Sequence, residues 1–107
     1  MTPAERYEQL GRRLVGGRVT SVTEGKGFGS TGQLKVDGRI FAMLVRGELV
    51  LKLPRQRVEE LVAGGDGVPF DAGKGKPMRE WFVLSASSKR DWLPLAAEAL
   101  EFVRSKR

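Results

Sequence analysis

Two short turn signals divide the stretch QLKVDGRIFAMLVRGELVLKLP, residues 33–54, into three apolar segments. Asp37-Gly38 is typical of a two-residue hairpin turn of the primed type, and Arg46-Gly47 can turn the chain again. The segment between them, Arg39–Val45, has apolar side chains at both parities, which predicts a strand that is buried on both faces. The outer segments alternate apolar and polar residues, as half-buried strands do. The stretch therefore predicts a three-stranded antiparallel meander.

Three amphipathic segments predict helices near residues 3–14, 54–63 and 92–104. Each has a start signal and apolar residues at helical spacing. The start signals are Thr2-Pro3-Ala4-Glu5, Pro54 and Asp91, and the glycine pairs 16–17 and 64–65 end the first two helices. The predicted core faces consist of Tyr7, Leu10 and Leu14, of Val58, Leu61 and Val62, and of Trp92, Leu95, Ala96, Ala99, Phe102 and Val103.

Weaker signals predict extended segments on either side of the meander. Residues 18–23 are rich in β-branched side chains, which favour strands. Val68–Phe70 and Met78–Leu84 are extended segments on either side of a glycine-rich loop at residues 71–77. The predicted fold is one α+β domain over all 107 residues. It consists of an antiparallel meander sheet plus a C-terminal hairpin, flanked by three helices.

The composition excludes several kinds of chemistry. The chain contains no cysteine and no histidine, which excludes disulfides, thiolate or histidine metal sites and histidine-based catalytic triads. Carboxylates such as Glu24, Glu48, Asp71 and Glu80 show no spacing that would pair two of them in a pocket. We therefore predict a non-enzymatic protein with no catalytic residue, no metal site and no cofactor.

Membrane insertion is not expected from this sequence. The longest apolar run, Ile40–Val45, is six residues long, whereas a membrane-spanning helix needs about twenty. The sequence also opens without the pattern of a secretory signal peptide. We expect a cytoplasmic protein.

The glycine-rich stretch GFGSTG, residues 27–32, fits the G-x-G-x-x-G fingerprint of dinucleotide-binding loops. That fingerprint works only where a strand leads into a helix, because amides at the helix N-terminus bind the pyrophosphate. Here the stretch leads into strand, turn and strand. We predict that residues 27–32 bind no nucleotide and form a bend that enters the meander.

A second glycine cluster, GVPFDAGKGK, resembles a P-loop but departs from it in two ways. Five residues separate Gly67 from Gly73 instead of four, and Gly75 stands where a Ser or Thr must bind magnesium. We predict that glycines in both clusters allow positive φ in bends or bulges between strands.

The net charge of +6 introduces a nucleic-acid hypothesis. The chain has 19 Lys plus Arg against 13 Asp plus Glu, and such an excess favours contact with phosphates. Lys52, Lys74, Lys76 and Arg79 are candidate contacts for a nucleic acid or a protein partner, because the meander and the last hairpin can present them together. The alternative is that these scattered cations keep exposed strands soluble.

Aromatic residues give that hypothesis little support. Single-stranded nucleic acids are bound by aromatic rings on which bases stack. Trp81 and Phe82 lie in an apolar strand, and we predict that they belong to the core rather than to a stacking platform.

Three stretches together resemble a known family. They are FGSTGQLKVDGRIFAML at residues 28–44, GELVLKLP at residues 47–54 and PFDAGKGKPMREW at residues 69–81. In this order they resemble the N-terminal domain of the TfoX/Sxy family of bacterial competence regulators, and the likeness covers nearly the whole chain. The YjbR-like family has a similar helix–meander–hairpin plan and is the close alternative. Gly27 occupies a position where the TfoX/Sxy family usually carries methionine.

The resemblance implies a small non-enzymatic domain used in regulation or protein contact, and it implies no catalytic residues. Full-length TfoX/Sxy regulators also carry a second, C-terminal helical domain, which lies outside the part that this chain resembles. A regulatory domain with a protein partner is therefore the leading hypothesis, and direct nucleic-acid binding through a basic surface is the alternative.

Overall fold

The computed structural model describes residues 2–17, 19–22, 30–71 and 78–105. Its elements in chain order are α1 (Pro3–Leu14), β1 (Val19–Val22), β2 (Ser30–Val36), β3 (Arg39–Val45), β4 (Glu48–Lys52), α2 (Arg55–Ala63), β5 (Gly67–Phe70), β6 (Met78–Leu84) and α3 (Trp92–Ser105). The strands form one antiparallel sheet in the order β1-β2-β3-β4-β6-β5. The predicted α+β class is confirmed, with the meander, the hairpin β5–β6 and three helices.

The two predicted hairpin turns have the expected backbone geometry. Asp37 and Gly38 have φ of 52° and 80°, and Arg46 and Gly47 have φ of 52° and 78°. Positive φ at both central residues defines the type I′ turn, whose twist matches that of paired strands. The turn chemistry therefore determines the meander locally.

The central strand β3 is buried on both faces, as predicted, but its register is interrupted. Leu34 pairs with Ala42, whereas Lys35 pairs with Ile40, so Phe41 is an extra residue in β3. A bulge of this kind disturbs the alternation of side chains along the strand. As a result Phe41 and Ala42, which are adjacent in sequence, both belong to the core under the helices.

The two faces of the sheet have different cores. All three helices contribute to the main cluster, in which Tyr7 and Leu10 of α1, Val58 and Leu61 of α2 and Leu95, Ala96, Ala99 and Val103 of α3 join buried residues of the sheet. A smaller cluster on the opposite face consists of Met43, Val45, Val50 and Phe70, with Trp81 and Val83 packed beside it. We call this opposite side of the sheet the second face.

The helices begin where their sequence signals predict, except that the first residue of α2 is shifted by one. Thr2 and Glu5 form a reciprocal capping box, since each side chain bonds the backbone N–H of the other residue. The second helix begins at Arg55 rather than at Pro54, which is its N-cap residue. Asp91 immediately precedes α3, and Pro94 lies in the first turn of that helix, where its missing N–H leaves no hydrogen bond unmade.

The two glycine clusters were predicted to form bends with positive φ, and the structure differs from this at the cluster residues that it describes. Residues 27–29 lie outside the described residues, and residues 30–32 belong to β2 instead of to a bend before it. A register shift interrupts the β2–β3 pairing between Ser30 and Gln33. Gly67 has no positive φ; it lies in β5, where a Cβ would collide with the neighbouring strand. Close backbone approach, rather than left-handed geometry, explains the glycine at position 67.

Candidate functional site

The predicted cation cluster is assembled only in part by the described residues. Lys52 ends β4 and pairs with Trp81 on β6, and its Nζ lies 5.6 Å from the centroid of the indole ring. That distance is within the range of a cation–π contact. Arg79 lies on the same strand, β6, two residues before Trp81, and the structure describes only its backbone. Lys74 and Lys76 lie outside the described residues.

Trp81 and Phe82 have different environments, although the sequence predicts both for the core. Phe82 is completely buried in the main cluster. Trp81 is half-buried on the second face, where it packs beside the smaller cluster and carries Lys52 over its ring. Adjacent residues of a strand point to opposite faces, so only Phe82 lies beneath the helices.

A cleft at the junction of α1 and α3 was not predicted from the sequence. It is an open groove of about 590 Å³ beside the first turn of α3. Its lining consists of Arg6, Gln9, Leu10, Arg12, Arg13, Asp91, Trp92, Leu93 and Pro94. We call this groove the α1–α3 cleft.

The spacing of residues along α1 explains how the helix supplies one wall of the cleft. Arg6, Gln9, Leu10 and Arg13 follow the i, i+3, i+4, i+7 pattern, which places them along one side of a helix. Leu10 is buried in the main core. The three polar side chains of the stripe therefore line the groove at the boundary between core and solvent. The sequence shows this spacing, but it does not show which residues form the opposite wall of the cleft.

Tyr7 orients α1 over the sheet. Its hydroxyl donates to the carbonyl oxygens of Gly32 on β2 and of Ala42 on β3, each at 3.3 Å. Burial raises the pKa of the Tyr7 phenol far above its usual value, so the group stays protonated and remains a donor. The contact anchors α1 to strands β2 and β3.

Arg6 joins the two walls of the cleft. Its guanidinium carbon lies 4.3 Å from the ring centroid of Trp92, and its Nη2 donates a hydrogen bond of 3.3 Å to the carbonyl oxygen of Arg90. Trp92 packs against the main core on α3. The ring of Trp92 is therefore engaged within the molecule, by the core and by Arg6.

The charges around the cleft are mainly positive. Three arginines and one carboxylate, Asp91, line it. Arg12 forms an ion pair with Glu8 one turn earlier, whereas Arg13 is exposed and has no ion-pair partner among the residues that the structure describes. Both cations lie in the last turn of α1, where the helix dipole favours positive charge. Of the three arginines that line the cleft, Arg13 is thus the one most available to a ligand.

The segment leading into α3 is held by Asp66. Arg90 Nε donates a 2.8 Å hydrogen bond to Asp66 Oδ2, and the Ser88 hydroxyl donates to Oδ1 at 3.1 Å. These bonds, with that from Arg90 first, lower the pKa of the Asp66 carboxyl below its usual value. Asp66 also accepts from the backbone N–H of Ser85 through its own carbonyl oxygen. The wall of the cleft at residues 91–94 therefore directly follows a segment that Asp66 holds in place.

Two further carboxylates, those of Glu60 and Glu98, form surface ion pairs with Arg57. Arg57 Nε lies 2.9 Å from Glu98 Oε1 and its Nη1 lies 3.4 Å from Glu60 Oε1, beside a second groove between α2 and α3. Within the described ranges, no group of three or more metal-ligating side chains could hold a metal ion. None of the described helices is long and apolar enough to cross a membrane.

Comparison of the chain with protein-family models, with curated proteins and with solved structures finds no match.

Proposed function

We propose that this protein is a small non-enzymatic, cytoplasmic domain that acts in regulation by binding a protein partner. The observation that carries the proposal is the α1–α3 cleft, where Leu93 and Pro94 lie beside a rim of arginines. An apolar floor with a polar rim is the usual anatomy of a protein-binding surface, and arginine is enriched in such surfaces. The resemblance to the TfoX/Sxy N-terminal domain supports the regulatory part of the proposal.

The surroundings of the aromatic ring in the cleft also favour a protein partner. A nucleobase needs a free aromatic face on which to stack. Trp92 packs on the core and carries Arg6 over its ring. The cleft consequently offers guanidinium groups and aliphatic carbons, which suit the side chains of a polypeptide.

Site-specific photo-crosslinking in the cells that encode the protein tests this proposal. A photoreactive p-benzoylphenylalanine would replace Leu93, which is half-buried in the cleft, and in a control would replace Val68, which is 58% exposed on strand β5. We expect one protein to be crosslinked from position 93 and not from position 68. That protein, once purified, should bind the domain with a defined stoichiometry in calorimetry. Equal crosslinking from both positions, or none from position 93, would contradict the proposal.

The regulatory part needs a separate measurement. Transcript levels would be compared between a strain that lacks the gene and strains complemented with the wild-type chain or with a variant of the cleft, Arg12→Gln/Arg13→Gln. We expect the wild-type chain to restore the transcript profile and the variant to fail. If both chains restored the transcript profile, the cleft would not be required for regulation.

Direct nucleic-acid binding is the second candidate, and the Lys52–Trp81 pair favours it. Single-strand binders combine aromatic rings with cations, and both kinds of group lie together here, with Lys52 Nζ 5.6 Å from the centroid of the half-buried indole. Lys52 would have to leave the ring of Trp81 before a base could stack on it. The test is a titration of duplex and single-stranded DNA from low to physiological salt. Four phosphate contacts on duplex DNA would give a slope of log K against log salt of about −3.6.

The matched variant for that titration replaces Lys52, Lys74, Lys76 and Arg79 with Ala, and a second variant is Trp81→Ala. Sub-micromolar affinity at physiological salt that both variants abolish would favour the nucleic-acid function over the protein-binding one. We expect only weak binding that disappears as salt rises, because a domain of net charge +6 attracts DNA nonspecifically.

A further inference from the structure

We infer that the α1–α3 cleft binds an acidic segment of a partner protein, in which carboxylates flank an apolar side chain. The inference rests on the proposed function and specifies the chemistry of the partner. Its two parts are the charge of the rim, from Arg12 and Arg13, and the apolar floor, from Leu93 and Pro94.

The rim determines the charge of the partner. Three guanidinium groups line the cleft against the single carboxylate of Asp91. Arg6 is held by Trp92 and by the Arg90 carbonyl oxygen, and Arg12 is shared with Glu8. Arg13 has no partner in the described structure, so its hydrogen-bond donors are available. A planar guanidinium binds a carboxylate or a phosphate through two parallel hydrogen bonds, so within a protein partner it favours the side chains of Asp and Glu.

The neighbouring surface extends the positive field beyond the rim. Lys89 is exposed in the segment that leads into α3. Arg90 is paired with Asp66, so that pair adds no net charge. The excess of cations over anions around the cleft steers an acidic segment towards it and disfavours a basic one.

The floor determines the apolar part of the partner. Pro94 is exposed and Leu93 is half-buried at the first turn of α3. The preceding segment is braced by Asp66, and Trp92 is fixed by Arg6. A preformed apolar surface of this kind binds a side chain without first ordering its own atoms, which lowers the entropic cost of association.

The experiment uses the purified full chain and a displayed library of random dodecapeptides as the probe. The enriched peptides would be synthesised, titrated by fluorescence anisotropy and mapped by amide chemical shifts in the domain. We expect enrichment of sequences with Asp or Glu beside a large apolar residue. We also expect shifts at Arg13 and Leu93, with affinity that falls as salt rises.

A matched pair of variants isolates the charge of the cleft. Arg12→Gln/Arg13→Gln removes one ion-paired and one unpaired cation from the rim. The control variant, Lys35→Gln/Arg55→Gln, also removes one ion-paired and one unpaired cation, but from positions outside the cleft. Arg55 pairs with Glu59, and Lys35 has no ion pair in the described structure. Each double variant lowers the net charge by two, and thermal melting would verify that both fold. We expect the cleft variant to weaken peptide binding at least tenfold and the control to change it less than twofold.

The other outcomes contradict the inference. Enrichment of basic or wholly apolar peptides at the cleft would overturn the acidic specificity while leaving a protein-binding cleft in place. Peptides that map to another surface, equal loss in both variants, or an oligonucleotide that displaces the peptide from the cleft would overturn the inference itself. The crosslinking from position 93 is independent of the peptide library, so failure of the proposed function is detected separately.

Discussion

Gly67 and Val83 approach so closely across the β5–β6 pair that a Cβ on Gly67 would lie 1.9 Å from the carbonyl oxygen of Val83. The same Cβ would lie 2.7 Å from Cζ of Phe82, which is completely buried. Neither the backbone oxygen nor the buried ring can move away without disturbing the sheet. The glycine is therefore a steric requirement of the hairpin.

The variant Gly67→Ala should destabilise the protein. Forcing a methyl group into a packed region typically costs about 1–3 kcal/mol or more, and we expect at least that for Gly67→Ala. Urea unfolding of the variant and the wild type would measure the difference. An unchanged unfolding midpoint would mean that β5 does not approach β6 as described.

Gly11→Ala should have the opposite effect and serves as the contrasting glycine. Gly11 lies inside α1, and among the described residues a Cβ there would meet only Cδ2 of Leu34 at 3.7 Å, an ordinary contact. Alanine in a helix interior is favoured over glycine by about 0.5–1 kcal/mol. We expect a rise in the free energy of unfolding of that size, measured in the same urea titrations. A loss of stability would show that α1 packs more tightly on β2 than the structure indicates.

Phe41→Ala tests the bulged central strand. Phe41 is completely buried in the main core, and truncation of a buried phenylalanine costs about 3–5 kcal/mol. Chemical denaturation would give the value, with the exposed Val68 on β5 as the control site for a Val68→Ala change. A cost below about 1 kcal/mol would be incompatible with the described placement of β3.

Asp66→Asn should remove a pH-dependent contribution to stability. The hydrogen bonds from Arg90 and Ser88 lower the pKa of Asp66 in the folded state below its ordinary value of 3.8. A carboxyl whose pKa is lower in the folded state stabilises the protein above the unfolded pKa. That contribution is lost as the pH falls through the folded pKa.

The melting temperature of wild type should therefore exceed that of Asp66→Asn at neutral pH. The gap should close as the pH is lowered below 3.8. Thermal melts of both proteins across this range are the measurement. A gap that is constant with pH would show that the charge of Asp66 contributes nothing.

The prediction that residues 27–32 bind no nucleotide stays open to test. Any ligand that binds the native state raises the melting temperature, by an amount set by its concentration relative to Kd. We expect no change with saturating NAD, NADP or ATP with magnesium. A reproducible rise of several degrees with one of them would overturn this prediction.

Local chemistry alone was sufficient to predict most of the elements. The Asp37-Gly38 and Arg46-Gly47 pairs determine their turns because few sequences adopt positive φ at two successive residues. The capping box at Thr2 and Glu5 determines where α1 begins. Such signals depend on residues within a few positions of one another, so they are readable before any tertiary contact is known.

Contacts between distant residues decided the rest. The extra residue at Phe41 depends on how β3 packs under the helices, and burial of Phe82 with partial exposure of Trp81 depends on which face the helices cover. The α1–α3 cleft joins Arg6 to Trp92 across 86 positions of sequence. No local periodicity specifies which helix ends meet. The sequence by itself therefore determined most of the elements of this protein, while tertiary packing alone decided where the α1–α3 cleft lies.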